Sequence, residues 1–174
     1  MGWARGGRLD ALASTPLRGL PLLVVAAALV LCSFALPLPP AAARGLHGAG
    51  YLLGLAAVWQ NRRSPWSLPI LVGVGLNTAV ICLNGGQMPV APEALARLRQ
   101  AVNVGAAGGL DPRHVVMGHG TRLAALGDTI ALGVGGLGLI ASPGDLLMAF
   151  GLGGFVQDRM TRARAGPPQP RPNA

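Results

Sequence analysis

The chain has 174 residues, of which 51% are hydrophobic and only 11% charged, and its mean hydropathy is +0.49. Soluble domains average about 25% charged residues, so this balance predicts an all-α membrane protein. It excludes a disordered chain, and two cysteines are too few for a disulfide scaffold.

The net charge of +8 would suggest nucleic acid in a soluble protein, but here the basic residues are weighed by where they fall between apolar runs, and nucleic acid is not an expected partner. All 14 basic residues are arginine, beside 27 glycines and 15 prolines. That bias is the imprint of a GC-rich coding sequence and predicts a bacterial source.

A membrane-spanning helix needs about 20 mostly apolar residues, and the chain offers four runs near that length. Residues 1–19 read as a basic cytoplasmic N-terminus, followed by Leu20 to Leu38, which is free of charge and ends at Pro37, Pro39 and Pro40. Gly45 to Trp59 comes next, with Arg44 and Trp59 at its ends. Trp66 to Leu83 closes at Asn84-Gly85-Gly86, a glycine-rich helix stop. Residues 84–142 are expected outside the cytoplasm, with a short helix starting at Pro92 and running through Arg99. Within that segment Thr129 to Ala141 has four glycines in thirteen residues and reads as a re-entrant or surface-lying stretch rather than a helix. Ser142-Pro143-Gly144-Asp145 has the grammar of a helix start, with Ser142 as N-cap, Pro143 at the first helical position and Asp145 facing the positive end of the dipole. The fourth helix is expected over residues 143–158, and residues 159–174 as a disordered basic tail.

Arginine placement sets the orientation. With four crossings, nine arginines and two acids fall on the side of the termini, against five arginines and four acids on the other. The expectation is a four-helix transmembrane bundle in a bacterial plasma membrane, both termini cytoplasmic, with the outer segment packed on it. The bilayer is then its first partner, and another membrane protein or a small ligand its second.

Three stretches, RGGRLDAL (Arg5 to Leu12), NGGQMPVAPEALARL (Asn84 to Leu98) and RHVVMGHGTRLAALGDTIAL with SPGDLLMAFG (Arg113 to Leu132, Ser142 to Gly151), are similar to a bacterial family of small integral membrane proteins, domain of unknown function fifty-three seventeen. The resemblance covers nearly the whole chain and is most specific from Asn84 to Leu95. It implies a polytopic membrane protein and supplies no chemistry. Members of the family usually begin with a further hydrophobic helix ahead of the basic stretch, which here starts almost at Met1.

Six polar residues stand out as binding candidates. Asn77 and Asn84 lie two helical turns apart on one face of the third helix; hydrogen bonding between helices is the plainer reading, and a ligand-facing stripe the sharper one. Gln87 sits in a loop, GGQMPVAPE, stiffened by two prolines. His114, Arg122 and Asp128 arrive from the rest of the outer segment, and Asp128 is expected to pair with an arginine or accept backbone N–H bonds. His114 and His119 are five apart, and Gly118 and Gly120 around His119 argue against a helix, so the pair does not suit a metal. No cofactor is implied. The chain has no serine elbow, phosphate loop or CxxC, so no catalytic residue is assigned, and Cys32 and Cys82 read as free packing thiols. The leading expectation is a non-enzymatic partner- or ligand-binding component. The alternative is a membrane-embedded enzyme or transporter using Asp128 and Asp145 as paired carboxylates.

Overall fold

The computed structural model describes residues 16–102, 111–134 and 137–162. The basic N-terminal stretch up to residue 15 and the tail beyond residue 162 therefore lie outside the described residues, while residues 159–162, expected in the disordered tail, are instead the last turn of the helix that starts at Pro143.

Among the described residues four of five α-helices build the body: α1 (Leu20–Ala35), α2 (Pro40–Gln60), α3 (Ser67–Leu83) and α5 (Pro143–Arg162). Prolines begin three of them, at positions where the missing N–H has no partner to lose: Pro21 in α1, Pro40 in α2 and Pro143 in α5. The helices pack α1 on α2, α2 on α3 and α3 on α5, so α3 is central. Small residues let the backbones approach: a Cβ on Gly50 of α2 would lie 2.6 Å from Val30 and 3.0 Å from the Ala26 carbonyl of α1.

At the C-terminal end of α3 the chain turns through Gly85 and Gly86, both with positive φ (68° and 81°), into strand β1 (Met88–Val90). Helix α4 (Pro92–Val102), strand β2 (His114–Val116), a 3₁₀ turn (Ala124–Leu126) and the strands β3 (Ile130–Val134) and β4 (Leu137–Ala141) complete the order before α5. Strand β1 is buried along its whole length and pairs on both edges. On one side it runs parallel to β2, Met88 opposite His114 and Val90 opposite Val116. On the other, Ala91 N–H donates to the Asp128 carbonyl at 2.9 Å and Asp128 N–H to the Pro89 carbonyl at 2.8 Å. The β3–β4 hairpin is antiparallel and covered by α4. Val80, Ile81 and Met88 form the core under this end, with Tyr51 and Leu126 against them.

The transmembrane bundle expected from hydropathy is overturned: among the described residues no helix is long and apolar enough to cross a membrane. Helix α1 has 16 residues and α3 has 17, rising about 24 and 25 Å where the hydrocarbon layer is about 30 Å thick. Helices α2 and α5 have the length, 21 and 20 residues, but carry Arg44, His47 and Gln60 in one and Asp145, Gln157, Asp158 and Arg159 in the other. The apolar runs counted as spans include residues that end the helices, such as Leu36, which is extended. The multi-pass plasma-membrane placement with cytoplasmic termini falls with it. The run Thr129 to Ala141, expected as a re-entrant or surface stretch, folds as the hairpin, where alternation rather than helical periodicity uses its glycines.

Candidate functional site

The polar candidates gather where the β1–β2 unit meets α2, α3 and α5. Two clusters result.

The first is built on β1. Because β2 and the segment carrying Asp128 pair with opposite edges of the same strand, His114 and Asp128 are brought to one place from 14 residues apart in sequence. The His114 imidazole bridges two carboxylates: Nδ1 is 2.8 Å from Asp111 Oδ2 and Nε2 is 3.6 Å from Asp128 Oδ2. Asp111 also accepts from the Arg113 backbone N–H and from Arg113 Nε, both at 2.8 Å. Burial works against the Asp111 charge, but the donations from Arg113 and the nearby His114 hold its carboxyl below the ordinary range. Asp128 is only 6% exposed. Burial pushes its carboxyl up to about 6; His114 opposes the rise and the Asp145 charge adds to it. The partner of Asp128 is thus a histidine, with no arginine beside it among the described ion pairs.

Arg113 is buried and reaches toward α1, its guanidinium 3.8 Å above the Phe34 ring. Phe34 meets His47 edge-on at 5.8 Å, and His47 meets Tyr51 edge-on at 5.2 Å. His47 is buried, with no hydrogen-bond partner on Nδ1. Burial, with the neighbouring His114 and Arg113, pushes it down to about 4.

The second cluster ties α3 to α5. Asn77 is fully buried; its Nδ2 donates to Asp145 Oδ1 at 2.8 Å and its Oδ1 accepts from the Ser142 hydroxyl at 2.9 Å. Ser142 and Asp145 make a reciprocal cap: Asp145 N–H donates to Ser142 Oγ at 3.0 Å and Ser142 N–H to Asp145 Oδ2 at 2.8 Å. Burial, and then the Asp145 charge, raise the Tyr51 phenol to about 12, while its hydrogen bond with Asn77 works the other way.

Two of the remaining candidates, Asn84 and Gln87, line a groove of about 370 Å³ beside β2, with Val116 and Thr121 among the other walls. Asn84 clamps the loop against α3: Nδ2 donates to the Val80 and Arg122 carbonyls at 2.8 and 2.9 Å, and Oδ1 accepts from Arg122 N–H at 3.0 Å. Gln87 Nε2 donates to the Pro112 carbonyl at 3.0 Å. The Arg122 side chain is exposed. The six candidates therefore divide: Asn77 and Asp128 are buried, His114 links inside to outside, Asn84 and Gln87 line the groove, and Arg122 stands beside it, next in the chain to Thr121 of the lining and held through its backbone by Asn84.

Sequence reasoning missed Tyr51, His47 and Arg113, whose roles depend on helix pairing. A local signal existed for Arg113, since Asp111 followed by Arg113 and His114 is a turn in which one carboxylate can reach both. Among the described residues no group of three or more His, Cys, Asp or Glu is placed to hold a metal. Cys32 is half-buried and Cys82 exposed, both as free thiols.

A family model matches residues 14–157, and its description is a family of unknown function, DUF5317. No curated protein and no solved structure matches the chain.

Proposed function

Since the chain belongs to the family of unknown function DUF5317, which assigns no chemistry, we propose a role from its geometry: a non-enzymatic binding component that seats an extended, acidic segment of a partner protein beside β2. The observation that carries this reading is the groove along an edge of that strand left open among the described residues, with the exposed Arg122 next in the chain to Thr121 of its lining. Among the described residues strand β2 has β1 on one side only. Met88 N–H donates to the Arg113 carbonyl at 2.7 Å and Met117 N–H to the Val90 carbonyl at 2.9 Å, so the backbone groups of Val116, between them, turn to the open edge. Among the described residues only the backbone of Arg122 is engaged, by Asn84, which leaves its guanidinium for a carboxylate. An added strand would gain main-chain bonds from Val116 and an ion pair from Arg122.

The test is titration of the full-length protein with extended hexapeptides of alternating valine and glutamate, beside the same peptides carrying lysine. The acidic peptide should bind saturably and lose about tenfold or more in affinity with Arg122→Gln or Val116→Pro. Equal binding of the basic peptide, or indifference to both substitutions, would overturn the reading.

A second reading, an enzyme acting through Asp128 and Asp145, has one observation in its favour: the Asp128 carboxyl pushed up to about 6 with Asp145 among the causes. Against it stands the 6% exposure of Asp128. Loss of cellular function in Asp128→Asn with peptide binding intact would favour this second reading.

A further inference from the structure

At the opposite end of the helical body from the β1–β2 unit, the first turn of α1, the last turns of α2, the start of α3 and the later half of α5 enclose an apolar pocket of about 180 Å³. Its walls are Leu23, Val58, Ile70, Leu152 and Phe155. The volume is below the range of about 300–1,000 Å³ usual for drug-sized ligands and equals roughly six waters. It suits a short alkyl chain and little else.

The mouth of this pocket is cationic. Arg18 lines it, and its hydrogen bonds with Asn61 use the backbone alone, N–H donating at 3.0 Å and the carbonyl accepting at 2.7 Å. Arg159 stands over the Phe155 wall, its guanidinium 5.3 Å from the ring centroid. Its Nε is buried and has no hydrogen-bond acceptor among the described residues. Arg62 and Arg63 follow Asn61 directly, both exposed, and the Arg62 guanidinium is already engaged, donating to the Trp59 carbonyl at 3.1 Å and lying 4.8 Å from the Trp59 ring centroid. Ser67 and Asn61 add no demand for a ligand, because Ser67 Oγ already donates to the Asn61 carbonyl at 2.6 Å and Asn61 Nδ2 to the Ala57 carbonyl at 2.9 Å. Arg18 in the lining and Arg159, one helical turn beyond the Phe155 wall, therefore flank an apolar socket whose other polar groups are satisfied. An orphaned buried donor beside it costs free energy until an acceptor arrives.

We propose that this pocket is a binding site for a free medium-chain carboxylate, its alkyl chain in the socket and its head group between Arg18 and Arg159. The chain gains by leaving water in proportion to its buried methylenes. The head group gains charge-assisted bonds from guanidinium groups, which hold carboxylates in a two-pronged fork. The site is separate from the β2 groove and stands or falls independently of it.

Isothermal titration of the full-length protein with octanoate, octyl phosphate and 1-octanol tests this. Octanoate should bind saturably at one site and at least tenfold more tightly than octanol. Arg18→Gln with Arg159→Gln should remove that preference and leave octanol binding unchanged. Leu152→Trp should abolish binding of both by filling the socket, and Val58→Phe should do the same from a different helix, with helix content by circular dichroism identifying whichever variant folds. Octyl phosphate binding with octanoate excluded would overturn the carboxylate assignment in favour of a phosphorylated head group. Absence of saturable octanoate binding, equal affinity for octanol, or full binding in both filled variants would overturn the site itself.

Discussion

Two buried titrating groups on this fold oppose one another. The folded-state pKa of Asp128 is raised from 3.8 to about 6, so its contribution to stability is complete at low pH and is lost as the pH rises through that interval. His47 is lowered from 6.5 to about 4, so its contribution is complete above 6.5 and is lost as the pH falls toward 4. Between pH 4 and 6 the slopes nearly cancel. Urea unfolding across this window should show a flat wild type, a His47→Phe variant whose stability falls with rising pH, and an Asp128→Asn variant whose stability rises with it. Flat profiles for both variants would refute the pairing. Asp145 carries a different burden, since removing it takes away the α5 cap and leaves buried Asn77 and Ser142 short of an acceptor. Asp145→Ala should lower stability by about 2–4 kcal/mol, combining a cap loss with unsatisfied polar groups. Denaturant midpoints would check it, and a loss under 0.5 kcal/mol would show that Asn77 finds another partner. The cap was legible as Ser-Pro-Gly-Asp because its grammar is local. The Asn77 bond to it was not, because 68 residues separate the two partners.

Helix pairing depends on where glycines meet neighbours. In α3 a Cβ on Gly73 would fall on the Gly144 carbonyl and 2.8 Å from the Met148 side chain. In α5 a Cβ on Gly153 would meet nothing within 4 Å. Gly73→Ala should therefore push α3 from α5 at a cost of about 1–3 kcal/mol, whereas Gly153→Ala should stabilise by about 0.5–1 kcal/mol through helix propensity. Thermal unfolding should move in opposite directions for the two variants; shifts of the same sign would mean that α3 and α5 are not seated on these glycines. Helix starts at Pro92 and Pro143 were readable from prolines and capping residues, and the one at Leu20 from the apolar run that begins there. The hairpin was not, since the glycines that spoil Thr129 to Ala141 as a helix say nothing about which strand answers it.

Across the whole molecule, hydropathy located the helical segments but misjudged their reach. The apolar run from Leu20 to Leu38 is longer than the helix it contains, because Leu36 and the prolines after it leave helical geometry. The apolar character remains visible on the surface, where Val24, Leu31 and Phe34 of α1 are about half exposed or more. Strand β1 governs the other end. Residues 88–91 take hydrogen bonds from two segments that approach from opposite edges, so neither can peel away without exposing a strand that is buried throughout. The consequence is kinetic protection of a single unit. Amide protons of Met88, Ala91, Met117 and Asp128 should exchange with deuterium at one common rate, because one opening event frees all four. The same opening parts His114 from Asp128, so the exchange rate of these four amides reports how often the carboxylate meets water.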